Sequence, residues 1–271
     1  MTALTEAPPT QLSGIPKRVT FTGMLRHTIT LAWRSLIQVK HNPMELLDLS
    51  VQPIMFLLLF TYVFGGAISG SVGDYLQFSL PGLIVQNMLF ATLTTAIGLN
   101  TDIHKGVFDR LRSLPIARSS PLSGRIVADT LKQVWAFALF LGLGTVLGFR
   151  VQTSVPGVFG ALGLLLVFAL AMSWLSVLIG LKASEPEKVQ IMAFSLMMPI
   201  TFTSNAFVPA NSMPGWLQKW VDVNPVTHLA DTVRGLLSGG PVASHLIISL
   251  LWAAVIALVF MPLSIRAFHR M

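Results

Sequence analysis

Charged residues divide this chain into long stretches that contain none. The windows 49–73, 75–101, 133–149, 151–181, 189–218 and 235–265 hold no Asp, Glu, Lys or Arg and are rich in Leu, Val, Ile, Phe, Ala and Met. Their lengths are 25, 27, 17, 31, 30 and 31 residues. A helix needs roughly 20 apolar residues to cross a bilayer core. The pattern therefore predicts an all-α polytopic membrane protein with six transmembrane helices. The spans are expected at about 46–65, 79–99, 131–149, 157–181, 189–206 and 244–264. The third is the shortest, and Lys132 and Arg150 can snorkel from its ends to the two interfaces.

A different period governs residues 21–40. Phe21, Leu25, Ile29, Ala32, Trp33 and Leu36 share one face of a helix, while Arg26, Thr30, Arg34 and Gln38 face away. This is the pattern of a basic amphipathic helix lying in the membrane interface, or of a soluble lead-in helix. Asn42-Pro43 breaks it and starts a new helix, because proline is tolerated in a first turn. Residues 1–20 are polar and carry Pro8, Pro9, Pro16, Lys17 and Arg18. They read as a disordered cytoplasmic tail, with no apolar run of the kind a cleaved signal peptide needs. Residues 21–265 then form a single transmembrane domain.

Charge gives an orientation. With the N-terminus inside, the cytoplasmic segments hold 15 of the 18 Lys and Arg residues, six of them in 102–132, and the outer loops hold Arg150, Lys219 and Arg234. This asymmetry follows the positive-inside rule and places both termini in the cytoplasm. Composition points the same way: 53% of residues are hydrophobic, 11% are charged, and mean hydropathy is +0.71. The net charge of +7 would point to nucleic acid in a soluble protein, but here it is topological, and no nucleic-acid partner is expected. The chain has no cysteine, which excludes disulfides and thiolate metal sites.

The usual engines are missing from the sequence. The nearest approach to a phosphate-binding loop, Gly65 to Ser71, lacks the lysine, and HExxH and GxSxG motifs do not occur. The six histidines, at 27, 41, 104, 228, 245 and 269, have no metal-ligand spacing. The middles of the windows carry no ionisable group for proton coupling. No catalytic residue, metal or resident cofactor is expected. What lies at membrane depth is polar but uncharged, including Gln86, Asn87, Thr94 and Asn205, together with the soft side chains Phe194, Met197, Met198 and Phe202. Such residues either line a route for an apolar cargo or bridge and pack helices.

Two polar loops say more. In GVFDRLRSLPIAR (106–118), Val107, Phe108, Leu111 and Leu114 make an apolar stripe beside Arg110 and Arg112, and Pro115 stops the helix. A short cytoplasmic helix of this shape docks in a partner's groove, or lies plainly in the interface. In 213–237, Pro214 to Val221 reads as an interfacial helix with Trp216, Leu217 and Trp220 at headgroup depth. Asn224 is placed to cap a following helix with Pro225 in its first turn, and Asp231 and Arg234 are spaced to pair on it. That helix either lies outside or re-enters the membrane.

At these loops the chain resembles the membrane subunit of ABC-2 type exporters, in particular the daunorubicin-resistance permease type of actinobacteria. LNTDIHKGVFDRLRSLPIAR (99–118), FVPANSMPGWLQKWVDVNPVTHLADTVRGLL (207–237) and the Asn224-Pro225 pair with Arg234 carry the resemblance, which covers roughly 25–265. It implies a multi-pass permease in a bacterial plasma membrane, in contact with membrane lipids and paired with a second copy or a close homologue. It also implies a separately encoded cytoplasmic ABC ATP-binding subunit that holds ATP and Mg. A coupling helix matching about 103–114 would seat on that subunit, with Gly106, Val107, Phe108, Asp109, Arg110, Leu111 and Arg112 in contact. Trp216, Trp220, Asn224, Pro225 and Arg234 would form the outer-gate loop. The candidates for a cargo path are those read above from membrane depth: Gln86, Asn87, Thr94, Phe194, Met197, Met198, Phe202 and Asn205. The expected cargo is an amphipathic or hydrophobic compound such as an anthracycline. The alternatives are the same fold exporting an endogenous lipid or glycan, or a structural or sensory subunit without transport.

Overall fold

A computed structural model describes residues 21–41, 43–107 and 120–269, and every regular element among them is helical. In chain order these are α1 (Phe21–His41), α2 (Pro43–Leu59), a π-helical turn (Phe60–Phe64), α3 (Gly65–Ser69) and α4 (Val72–His104). They are followed by α5 (Ser120–Val146), α6 (Val155–Lys182), α7 (Pro186–Phe202), α8 (Gly215–Val221), α9 (Pro225–Ser238) and α10 (Ala243–His269). Among the described residues, five segments are long and apolar enough to cross a membrane: Ser50–Ile68, Val72–His104, Ser123–Val146, Val155–Lys182 and Ala243–Phe268. The expected span over 189–206 corresponds to α7, whose 17 residues end at Phe202.

The central helix is α4, which packs against α3, α5, α6, α7 and α9. Its start is fixed locally. Ser71 accepts a hydrogen bond from the Asp74 backbone N–H at 3.0 Å, satisfying one of the donors that a helix N-terminus leaves open. From there it runs 33 residues, well past the expected limits of 79–99, and buries Leu76, Leu80, Leu83, Val85, Leu89, Ala96 and Leu99.

Membrane helices gain little from apolar contact alone, so small residues and polar bonds hold the bundle. Gly82 and Gly180 supply close approach. A Cβ on Gly82 would lie 2.0 Å from the Ala206 carbonyl oxygen, and one on Gly180 would lie 2.6 Å from that of Ala96. Polar bonds accompany them: Ser176 Oγ donates to Thr92 Oγ1 (3.0 Å), Gln133 Nε2 to the Met88 carbonyl (3.3 Å), and Ser264 Oγ to the Trp174 carbonyl (2.8 Å). Asn100 Nδ2 donates to the carbonyls of Gly180 (2.9 Å) and Ala183 (2.8 Å), taking up acceptors at the open end of α6.

The outer faces are apolar. Val63 is 64% exposed and Leu258 76%, a state that lipid or another apolar surface tolerates and water does not. In the π-helical turn, Phe60 stacks on Phe207 with ring centroids 4.8 Å apart, and Phe207 in turn stacks on Phe202 at 5.1 Å. A π turn adds one residue to the helical repeat and so re-aims the residues that follow it. These rings carry α2 onto the end of α7.

Gly82→Ala tests this packing. The added methyl meets fixed backbone rather than a movable side chain, so a loss of about 1–3 kcal/mol is expected, read as a lower unfolding midpoint in detergent. Gly66→Ala, where nothing lies within 4 Å, is the control. Equal midpoints for the two variants would contradict the close seat.

Candidate functional site: a sealed cap and an open cleft

The two ends of the bundle are built differently. At the end where α4 and α6 begin, residues 203–238 fold into a cap over the bundle. Asn224 organises its first half. Its side-chain oxygen accepts from the Val226 N–H (2.9 Å) and caps α9, with Pro225 in the first turn, while Nδ2 donates to the carbonyls of Ile200 (2.7 Å) and Thr203 (3.3 Å). One residue therefore starts α9 and ties it to the end of α7. Trp220 Nε1 donates to Thr203 Oγ1 (2.8 Å), and Tyr75 of α4 donates its hydroxyl to the Phe207 carbonyl (3.2 Å).

Arg234 organises the second half. Nη1 binds Asp231, Nε donates to the Phe78 carbonyl (3.1 Å) and Nη2 to the Asn205 carbonyl (3.2 Å), while the guanidinium carbon sits 4.1 Å from the centre of the Phe78 ring. Asp231 also accepts from Asn205 Nδ2, at 2.8 Å to each oxygen. Burial draws the Arg234 pKa below its ordinary value, and the charge and hydrogen bond of Asp231 oppose that shift. An arginine does not escape such a cost by losing its proton, so the partners must satisfy the charge. Beside this pair, His228 Nε2 faces the Asp222 carbonyl (2.9 Å) and its Nδ1 faces His245 Nδ1 of α10 (3.2 Å).

The half of the bundle away from the cap is less closely filled. A cleft of about 380 Å³ lies between α2, α4, α5 and α7. Its walls include Gln52 and Pro53, Asn87, Phe90 and Thr94, Gln133, Gln190 and Phe194, and its charged end is made by Arg125, Asp129 and Lys132. Phe90 and Phe194 meet edge to face at 5.2 Å. The charged groups are paired: Arg125 with Asp102, and Lys132 with Asp129 at 3.0 Å.

These two places divide the residues singled out from the sequence. Asn87, Thr94 and Phe194 come together on the cleft wall. Gln86 and Met197 are buried among the helices, and Met198 and Phe202 are exposed on the side of α7. Asn205 belongs to the cap, with its amide committed to Asp231. Asn224, Pro225, Arg234 and Trp220 also meet in the cap, whereas Trp216 is 74% exposed at its rim. Gly106 turns the chain out of α4 with φ +64, and Val107 follows it. Phe108, Asp109, Arg110, Leu111 and Arg112 lie outside the described residues. The charged end of the cleft did not emerge from the sequence, although the i,i+4 spacing of Arg125 and Asp129 and the i,i+3 spacing of Asp129 and Lys132 are helical pairing distances.

Removing one partner of the Arg234 pair leaves an uncompensated buried charge, which costs about 3–5 kcal/mol. Arg234→Met alone is therefore expected to lower the unfolding midpoint strongly, and Arg234→Met with Asp231→Leu to recover part of the loss. Equal midpoints for the single and double variants would contradict the pairing.

With this geometry in place, comparison with known proteins assigns the family. A family model described as ABC-2 type transporter matches residues 26–237. The daunorubicin resistance ABC transporter permease protein DrrB1 of Streptomyces coeruleorubidus is 43% identical over 242 residues, 89% of this chain and 86% of that protein. A protein of Mycobacterium tuberculosis, named as a probable doxorubicin resistance ABC transporter permease, DrrC, is 28% identical over 262 residues, covering 96% and 94%. From its helical bundle, its capped end and these relatives, the chain belongs to the ABC-2 type transporter family of membrane permeases.

Proposed function

We propose that this chain is the permease subunit of an ATP-driven exporter that takes an amphipathic compound from the cytoplasmic side and releases it outside. One observation carries the reading: a cleft in the half of the bundle that leads toward the end of α4, away from the cap. At about 380 Å³ the cleft falls in the range of pockets that hold drug-sized molecules. Its aromatic pair suits a planar apolar body, and its amides and ion pairs suit a polar end. The relatives named for resistance to daunorubicin and doxorubicin support an anthracycline-like cargo.

The proposal has six spans with both termini in the cytoplasm, in a bacterial plasma membrane. The fifth is α7 completed by the turn over 203–206, and Trp216 and Trp220 lie at the outer headgroups. Two copies, or one copy and a homologue, pair through apolar faces such as those of α2 and α7. A separate ATP-binding subunit supplies ATP hydrolysis with Mg and receives the segment 106–112, with Phe108 and Leu111 as apolar anchors and Arg110 and Arg112 at the rim.

Reconstitution of the chain with its ATP-binding subunit in proteoliposomes tests this. ATP-dependent movement of doxorubicin is expected. Phe194→Ala with Thr94→Ala is expected to lower it several-fold while ATP hydrolysis continues, and Phe108→Ala with Arg110→Ala to lower transport and hydrolysis together. An assembled, ATP-hydrolysing complex that moves no doxorubicin would contradict the cargo class and direct the search to endogenous lipids or glycans.

A further inference from the structure

Segment 105–119 leaves the end of α4 and returns at the start of α5. The two helix ends that bracket it are joined by one side chain. Arg125, in the second turn of α5, binds Asp102 in the last turn of α4 through Nη1. The same guanidinium turns its Nη2 end onto Gly98, one turn earlier in α4, so closely that a Cβ there would sit 1.8 Å from Nη2. Arg125 Nε is 3.7 Å from Asp129 Oδ2, and Asp129 binds Lys132 in turn. Arg125, Asp129 and Lys132 are also the charged end of the cleft. The start of α5 is held from its other side by α1, where Gly124 fits so closely that an added Cβ would lie 2.9 Å from Leu31 Cβ and 3.0 Å from the Thr28 carbonyl oxygen.

We infer that Arg125 is a positioning residue that locks the two ends of segment 105–119 together and makes a push on that segment move the cleft wall. This rests on the proposed seating of 106–112 on an ATP-binding subunit. Without the Arg125–Asp102 link, the ends of α4 and α5 separate independently and absorb the displacement. With it, α4 and α5 shift as one body, and the residues that move first are those of the cleft. The magnitude of the link separates this role from a structural one. An ion pair whose side chains are 25% and 37% exposed contributes little to stability, so its removal changes transmission more than folding. Gly98 has no Cβ where the guanidinium must rest, and an alanine there displaces Arg125 without altering any charge.

The chain has no cysteine, so Thr94→Cys offers a single labelling position on the cleft wall. The permease is labelled at that position with bimane, assembled with its ATP-binding subunit in nanodiscs, and its emission compared without nucleotide and with ATP plus vanadate. A nucleotide-dependent change is expected with Arg125 and Gly98 intact. In Gly98→Ala and in Arg125→Gln most of that change is expected to be lost, while assembly and nucleotide affinity stay unchanged. Exchanging the charges, Asp102→Arg with Arg125→Asp, is expected to restore part of the change, which separates the ion pair from the loss of the arginine alone. A full emission change in assembled Gly98→Ala and Arg125→Gln complexes would overturn the inference, as would a label that ignores nucleotide in the unaltered complex. Failure of the unaltered permease to bind the ATP-binding subunit would instead overturn the functional reading, and the inference with it.

Discussion

A guanidinium held away from water must find every partner it needs nearby, and Arg234 finds them on three separate parts of the chain. Phe78 comes from α4, Asn205 from the turn after α7, and Asp231 from its own helix. Because arginine keeps its charge, none of these partners can leave without a penalty of several times the thermal energy. The position of α9 on the bundle, the path of 203–207 and the upper half of α4 are therefore set together. Asn224 serves the same end with hydrogen bonds alone, satisfying the carbonyls of Ile200 and Thr203 that α7 leaves open.

That constraint gives the molecule its polarity. The capped end closes with aromatic stacking, from Phe60 through Phe207 to Phe202, and with the hydrogen bonds that tie Arg234, Asp231, Asn205 and Asn224 to their neighbours. In the other half, α2, α4, α5 and α7 surround a cleft with mixed walls. A permease needs this kind of asymmetry, one side accessible and the other shut, and needs an energy source that reverses it. On the proposed function, the chain's contribution is then to hold a cargo and to transmit a movement.

The sequence made the local features readable and the non-local ones obscure. Asn224 with Pro225 announces a helix start, and Asp231 with Arg234 announces a pair, because both patterns are completed within one turn. The charge-free windows locate the long helices, although charge is a poor guide to their ends. Asp74 lies inside α4 because its backbone N–H donates to the capping Ser71 hydroxyl in the first turn, and α5 begins at Ser120 rather than near 131 because its charges are paired, Arg125 with Asp102 of α4 and Lys132 with Asp129. The expected fifth span reached to 206, whereas α7 stops at Phe202 and Asn205 turns into the cap. Among the polar residues at depth, nothing local separates Asn87 and Thr94 from Gln86. The facing helix decides which of them line the cleft and which is buried.

The most direct test of this account asks which side of the membrane each end faces. Two single-cysteine variants, Thr94→Cys in the cleft and Asn211→Cys on the exposed surface of the cap, are treated with a membrane-impermeant maleimide in right-side-out and in inside-out vesicles, without nucleotide. The account predicts that position 94 labels only in inside-out vesicles and position 211 only in right-side-out ones. Labelling of position 94 from the outside in resting vesicles would contradict a permease that opens inward beneath a sealed outer cap.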